Sequence, residues 1–152
     1  MTNPTPPARD LRLVVGYDGS PPANRALQTA INMLQGRSGC LEVTYVAHIP
    51  SMASLSAGAV TELESGFNDI EQELRTMVGE QLHGRETRWE FGRREGPIAE
   101  ELIAAAKGHA ADHPDATVAI VVGGSSQAAH RVVGSVAVHL ARHAPVPLLI
   151  VP

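Results

Sequence analysis

Apolar residues in this chain fall into short continuous runs, separated by stretches in which they recur every three or four positions. LRLVVG, residues 11–16, is the first run and predicts a strand that turns at Gly16–Gly19. Ser20 before Pro21 predicts a helix start, since a hydroxyl can cap the first turn and proline's missing N–H costs nothing there. Ala23, Ala26, Leu27, Ala30, Ile31 and Leu34 then mark one apolar helix face, which QGRSGC stops with glycines. CLEVTYV, 40–46, predicts a second strand, followed by a polar loop to about residue 60. Leu63, Phe67, Ile70, Leu74, Met77 and Val78 predict a long amphipathic helix ending near Gly84. RETRWEF, 85–91, alternates enough for a third strand near a sheet edge, and GRREGP, 92–97, reads as a turn. Pro97 opens a helix with Ile98, Leu102, Ala105 and Ala106 as its buried face. ATVAIVV, 116–122, predicts a fourth strand, a helix follows from about Ser135 to Ala144, and VPLLIV, 146–151, closes the pattern.

Strands alternating with helices, most strands being apolar throughout, predict an α/β domain with an open, doubly wound parallel sheet covered by helices on both faces. No internal repeat or second domain is visible, so residues 1–10 are expected to be a flexible tail and 11–152 one domain. Sheets of this kind take ligands beyond the carboxyl ends of their strands, where strand order reverses. The loops after the strands are therefore where chemistry is expected.

Charge and composition remove several classes. A net charge of −4 and only 3% aromatic residues leave neither a basic footprint nor stacking platforms for nucleic acid. No apolar run reaches the roughly 20 residues of a membrane helix. MTNPTPPARD, with three prolines and no apolar core, is not a signal peptide. The single cysteine, Cys40, excludes an internal disulfide, reads as a small apolar residue at a strand start, and fits a reducing cytoplasm. Lys107 is the one lysine and lies in a helical stretch, so a P-loop is excluded.

Two loops carry candidate chemistry. GYDGS, after the first strand, lacks a dinucleotide fingerprint, and its Asp18 would repel a phosphate. Asp18 suits a partner that donates hydrogen bonds, such as a ribose hydroxyl or an adenine amine, or else serves as a turn or capping aspartate. After the fourth strand, GGSSQAAHRVVGSV lets the backbone approach a ligand at Gly123 and Gly124. Gly134-Ser135 then opens a helix with free N–H groups and a hydroxyl.

From residue 11 onward the chain resembles a universal stress protein domain. The resemblance rests on VVGYDGSPPANRAL, EVTYVAHIP, GPIAEELIAAA, and VVGGS…GSVAVHLARHAPVPLLIVP. It implies a five-stranded parallel sheet (universal stress protein-like, adenine nucleotide alpha hydrolase-like), a homodimer paired through the final strand and, in one subclass, an ATP site with the pattern G-x2-G-x9-G-[ST]. Carried over by position, that site would comprise Asp18, the backbone of Val46, Gly123, Gly134, Ser135 and Val136. The loop departs from the pattern. Anchored at Gly123 it reads G-x2-S-x7-G-S, with Ser126 for the second glycine and two residues fewer; anchored at Gly134, Gly124 has the right spacing but Val121 takes the first glycine's place. Two residues are up to roughly 7 Å of chain. Two lost charge-assisted donors would remove about 3–6 kcal/mol from the roughly 8 kcal/mol of a micromolar complex, enough to reach millimolar affinity or worse.

Other constellations are weaker. His139 and His143 have zinc-compatible spacing, as do His109 and His113, but no third ligand is evident. A receiver domain would need an acidic pair after the first strand and a lysine after the fifth, and both are missing. GGSSQ is not G-x-S-x-G, so no hydrolase is indicated and ATP turnover would at most be slow. Glu62, Glu64, Glu71 and Glu73 read as a solvated face. Arg93 and Arg94 could clamp a phosphate or face water, and His130 and Arg131 could reach a phosphate or be solvated. Proline at 145, 147 and 152 limits ladder bonding in an apolar terminal strand that would invite aggregation unless paired. The expectation is a cytoplasmic stress-response or signalling module, not a catalyst, that binds ATP or a related adenine nucleotide. The alternative is a nucleotide-free dimer of the same fold that recognises an unknown protein partner, through its helix faces or the loop at 47–61.

Overall fold

The computed structural model describes residues 9–49, 55–124 and 134–152. Its elements run β1 (Leu11–Gly16), α1 (Pro21–Leu34), β2 (Gly39–Ala47), α2 (Ala57–Leu82), β3 (Trp89–Glu95), α3 (Ile98–Asp112), β4 (Thr117–Gly123), α4 (Ser135–His143) and β5 (Leu148–Val151). All strand pairs are parallel, in the order β3-β2-β1-β4-β5. The α/β class, the five strands and the edge position of the third strand are as the sequence predicts.

Because side chains alternate across a strand, β1 feeds two cores. Leu13 and Val15 join α1, the end of α2, Leu41 and Val43 on one face. Val14 joins Leu102, Ala106, Ile120 and Leu140 on the other, against α3 and α4. α1 starts as expected: Ser20 Oγ accepts from Ala23 N at 3.3 Å, and all six predicted apolar positions are buried. Between the layers Arg12 and Glu42 form a buried ion pair at 2.5 Å, with His109 Nε2 3.6 Å from the other Glu42 oxygen.

Three expectations need correction. The third strand is not 85–91 but Trp89–Glu95, so GRRE is strand and the turn comes at Gly96, whose φ is +140°. Pairing decides this: each residue from Trp89 to Glu95 stands opposite one from Leu41 to Ala47, and that ladder overrides the local turn preference of Gly-Arg-Arg-Glu. The long helix starts at Ala57, inside the expected loop, and Ser56 Oγ caps it through Ala59 N. Its apolar face is buried only toward its carboxyl half, at Leu74, Val78 and Leu82, while Ile70 is 42% exposed. Ile98, expected in a buried face, is 37% exposed at the start of α3.

The bland reading of Cys40 fits: the thiol is buried, and desolvation, reinforced by Glu42 and Glu90, pushes its pKa up to about 11. Among the described residues no helix is long and apolar enough to cross a membrane, and no group of three side chains is placed to hold a metal ion. His139 and His143 stack, with ring centroids 4.4 Å apart. The N-terminal residues 1–8 and the loop residues 50–54 lie outside the described residues.

Candidate functional site

The chain turns from β1 to β2 on one side of the sheet and reaches β4 on the other, so strand order reverses between β1 and β4. Two neighbouring loops leave in opposite directions there, which opens a crevice at the carboxyl ends of the strands. A cleft of about 330 Å³ occupies this place, within the range of small-molecule sites.

Seven of the eight predicted residues line this one cleft: Asp18, Val46, Gly123, Gly124, Gly134, Ser135 and Val136. They come from four separate segments of the chain. Ser126 lies outside the described residues, as do His130 and Arg131. Arg93 and Arg94 do not line it. Arg93 donates to Asn68 (2.7 Å) and Glu95 (3.1 Å), and Arg94 to Glu101 (2.8 Å), so both tie β3 to its neighbours instead of reaching a ligand.

Asp18 serves as a turn aspartate and also borders the cleft. One carboxylate oxygen accepts from Ser20 N at 3.0 Å, closing a local turn before α1. The residue is exposed and borders the cleft. Gly19 makes the turn possible with φ +78°, a conformation that L side chains seldom adopt. Gly123 has a structural reason that the sequence does not disclose. A Cβ there would come within 2.4 Å of the Pro22 carbonyl oxygen, so the missing side chain lets α1 lie against the end of β4. At Gly124 a Cβ would come no nearer than 3.3 Å to Val151 O and 3.6 Å to Pro152 Cα among the described residues.

Gly134 is the N-cap of α4 and makes no side-chain cap bond. The first intrahelical bond runs from Val138 N to Gly134 O (3.0 Å). The amides of Ser135, Val136 and Ala137 therefore precede the ladder and carry the positive end of the helix dipole at the cleft. Asp18 is the one charged side chain in the described lining. Among the described residues, the groups that could meet phosphate charge there are backbone dipoles.

Sequence reasoning missed Tyr17, Thr44, Ile98 and Leu102, which also line the cleft. Thr44 was within reach, since it stands two residues before Val46 on the same strand face. Tyr17 is buried, its hydroxyl donates to Asn24 Oδ1 at 2.7 Å, and Gln81 Nε2 donates to the same Asn24 oxygen at 2.8 Å. Burial, opposed by the Gln81 hydrogen bond and aided by the Asp18 charge, raises the Tyr17 pKa, so the phenol stays neutral. Among the described residues the cleft offers apolar walls, hydrogen-bond acceptors at Asp18 and Thr44, and a set of amide donors facing them.

Comparison with known proteins matches residues 11–152 to the model of the universal stress protein family. No curated protein matches the chain significantly. Solved structures resembling it include universal stress protein UspA from Lactobacillus plantarum, 20% identical, TM-score 0.75, covering 95% of this chain and 99% of that one. A universal stress protein in complex with cAMP is 24% identical, TM-score 0.64, with the same coverages. A family protein from Arabidopsis thaliana with AMP bound is 10% identical, TM-score 0.60, covering 93% and 90%. At these identities the likeness to solved structures concerns the fold.

Proposed function

The chain belongs to the universal stress protein family, and from that premise we propose that it is a stress-response or signalling module that binds an adenine nucleotide bearing one phosphate. The observation that carries this reading is the convergence of seven separately encoded residues on the cleft at the strand-order reversal. Asp18 and the Val46 backbone would face ribose and base, and the free amides at Ser135–Ala137 would take the phosphate. Structures of similar fold with cAMP and with AMP support the ligand class.

Two features favour a monophosphate over ATP. The loop from Gly123 to Gly134 is two residues shorter than the family's ATP pattern. The one charged side chain of the described lining is also an acid, Asp18, so each further phosphate charge adds repulsion with it. Binding, not chemistry, is the proposed activity, with hydrolysis at most slow. The proposal includes a cytoplasmic homodimer paired through β5, an apolar strand at the open edge of the sheet. Scattering that gives a monomer at high micromolar concentration would sink the dimer.

A nucleotide-free interaction module remains the second reading, and Gly123 favours it, because the fold needs that glycine whether or not a ligand binds. The deciding experiment is gentle purification, denaturation, and identification of released nucleotide by chromatography and mass, then calorimetric titration with AMP, cAMP, ADP and ATP. The proposal expects AMP or cAMP to bind more tightly than ATP, with the affinity lost in Asp18→Ala. Tighter binding of ATP would overturn the monophosphate reading, and no heat at millimolar nucleotide would leave the second reading standing.

A further inference from the structure

At the opposite end of the sheet the chain repeats itself. α1 ends in Leu34-Gln-Gly-Arg37 and α2 in Leu82-His-Gly-Arg85. The two terminations are built alike. Leu34 and Leu82 are both buried in the same core, and Gly36 and Gly84 have φ of +71° and +73°. Arg37 N bonds Leu34 O at 3.0 Å, and Arg85 N bonds Leu82 O at 3.1 Å. Left-handed glycines of this kind close helices and fix the direction of the next residue, so each arginine leaves its helix in the same way.

The connections that follow enter β2 and β3, which are paired neighbours, and Leu41 N bonds Arg88 O at 2.9 Å. Arg37, Arg85 and Arg88 thereby border one cleft of about 560 Å³ at the amino ends of the strands. None of the three makes an ion pair or side-chain hydrogen bond with another described residue, which they share with Arg9, Lys107 and Arg142, whereas Arg12, Arg25, Arg75, Arg93 and Arg94 all do. Glu86 is the one acid in the described lining, which leaves that lining at +2 (three arginines less one glutamate) in a chain of net charge −4, with Asp10 bonded to Ser38 at its edge. Attraction of a cation to a helix carboxyl terminus accounts for Arg37 and Arg85. It does not account for Arg88, which precedes a strand.

We propose that this cleft is a second ligand site, for a small anion with two linked phosphates. Guanidinium groups bind phosphate through paired N–H donors, and three of them suit a ligand with two tetrahedral centres better than a single phosphate. The described lining has no aromatic side chain for a nucleobase to stack on. The ligand is either free pyrophosphate or the diphosphate group of an organic phosphate.

The test titrates the full chain with inorganic pyrophosphate, inorganic phosphate and phosphoribosyl pyrophosphate. Calorimetry gives the affinities, and the arginine Nε–H and backbone amide NMR signals locate the site. Saturable pyrophosphate binding is expected, tighter than phosphate, with shifts at Arg37, Arg85 and Arg88. Each substitution, Arg37→Gln, Arg85→Gln or Arg88→Gln, should weaken it by about tenfold or more, with Arg85→Lys intermediate, the unfolding midpoint little changed, and Asp18→Ala without effect. Tighter phosphoribosyl pyrophosphate would assign an organic bearer, and equal affinity the free anion. No saturation at millimolar pyrophosphate, affinity indifferent to the three substitutions, or shifts at Ser135–Ala137 instead would overturn the proposal.

Discussion

Gly123→Ala tests whether the glycine-rich loop is first a packing device. The added methyl would lie 2.4 Å from the Pro22 carbonyl oxygen, 2.5 Å from its carbon and 2.7 Å from Pro22 Cβ. Normal carbon–oxygen contact is about 1 Å longer, and two of the three atoms are backbone in the first turn of α1, so no rotamer change relieves the clash. α1 must move off the sheet at the end where Ala23 and Ala26 are buried. Overpacking of this kind costs about 2–3 kcal/mol, which for a domain of this size lowers the thermal midpoint by roughly 5–10 °C. Gly124→Ala is the control: its nearest contact is 3.3 Å, its φ is not positive, and its cost should stay within about 0.5 kcal/mol. Both variants would be followed by calorimetric melting and urea denaturation without nucleotide. If Gly123→Ala melted with the parent, or if the two variants lost equal stability, the argument from close approach would fail.

Other predictions address single contacts. Asp18→Asn keeps the acceptor for Ser20 N and should leave stability nearly unchanged, whereas Asp18→Ala should lose about 1 kcal/mol; equal denaturation midpoints would count against the turn. Glu42→Ala leaves Arg12 buried without its carboxylate and should cost about 3–5 kcal/mol, while Arg12→Met with Glu42→Leu should recover most of that; additive losses in the double-mutant cycle would refute the pairing. Cys40 has its folded pKa raised from 9.0 to about 11, so the unfolded chain releases the proton first. Its contribution to stability is therefore whole below pH 9 and lost as pH rises from 9 to 11. Cys40→Ala should flatten that part of the stability–pH curve, and an unchanged curve would disprove the assignment.

The sequence discloses most where local and tertiary preferences agree. Ser20-Pro21 and the six apolar positions of α1 predict a capped, one-faced helix, and the helix needs nothing further from its surroundings. Apart from Arg12 in β1, β1 and β4 put apolar residues on both faces because both faces are covered. β3 is the opposite case: Gly92, Arg93, Arg94 and Glu95 look like a turn, and only the ladder to Thr44–Ala47 makes them strand. α2 shows a different limit. Its periodicity marks residues able to be buried, and Ile70 remains in water because nothing described packs over it. The cleft was readable through its loops, at Asp18 and Gly134-Ser135, since a strand-end loop announces its own position. Leu102 and the clash that reserves Gly123 depend on neighbours distant in sequence, as does the bond from Arg93 to Asn68.

The length of α2 has a kinetic consequence. Its 26 residues span about 39 Å, whereas the 9 residues of β2 span about 30 Å. β2 and β3 are parallel, so α2 runs back from the carboxyl ends of the strands. Residues 57–66 contribute nothing to the buried core, and this overhang carries Glu62 and Glu64, both exposed. A negatively charged ligand nearing that overhang thus meets repulsion from these two carboxylates. Raising ionic strength from about 0.01 to 0.15 M shortens the screening length from roughly 30 to 8 Å. If the proposed nucleotide site is filled from that end, capture should become faster with salt, the reverse of the trend that a basic mouth imposes.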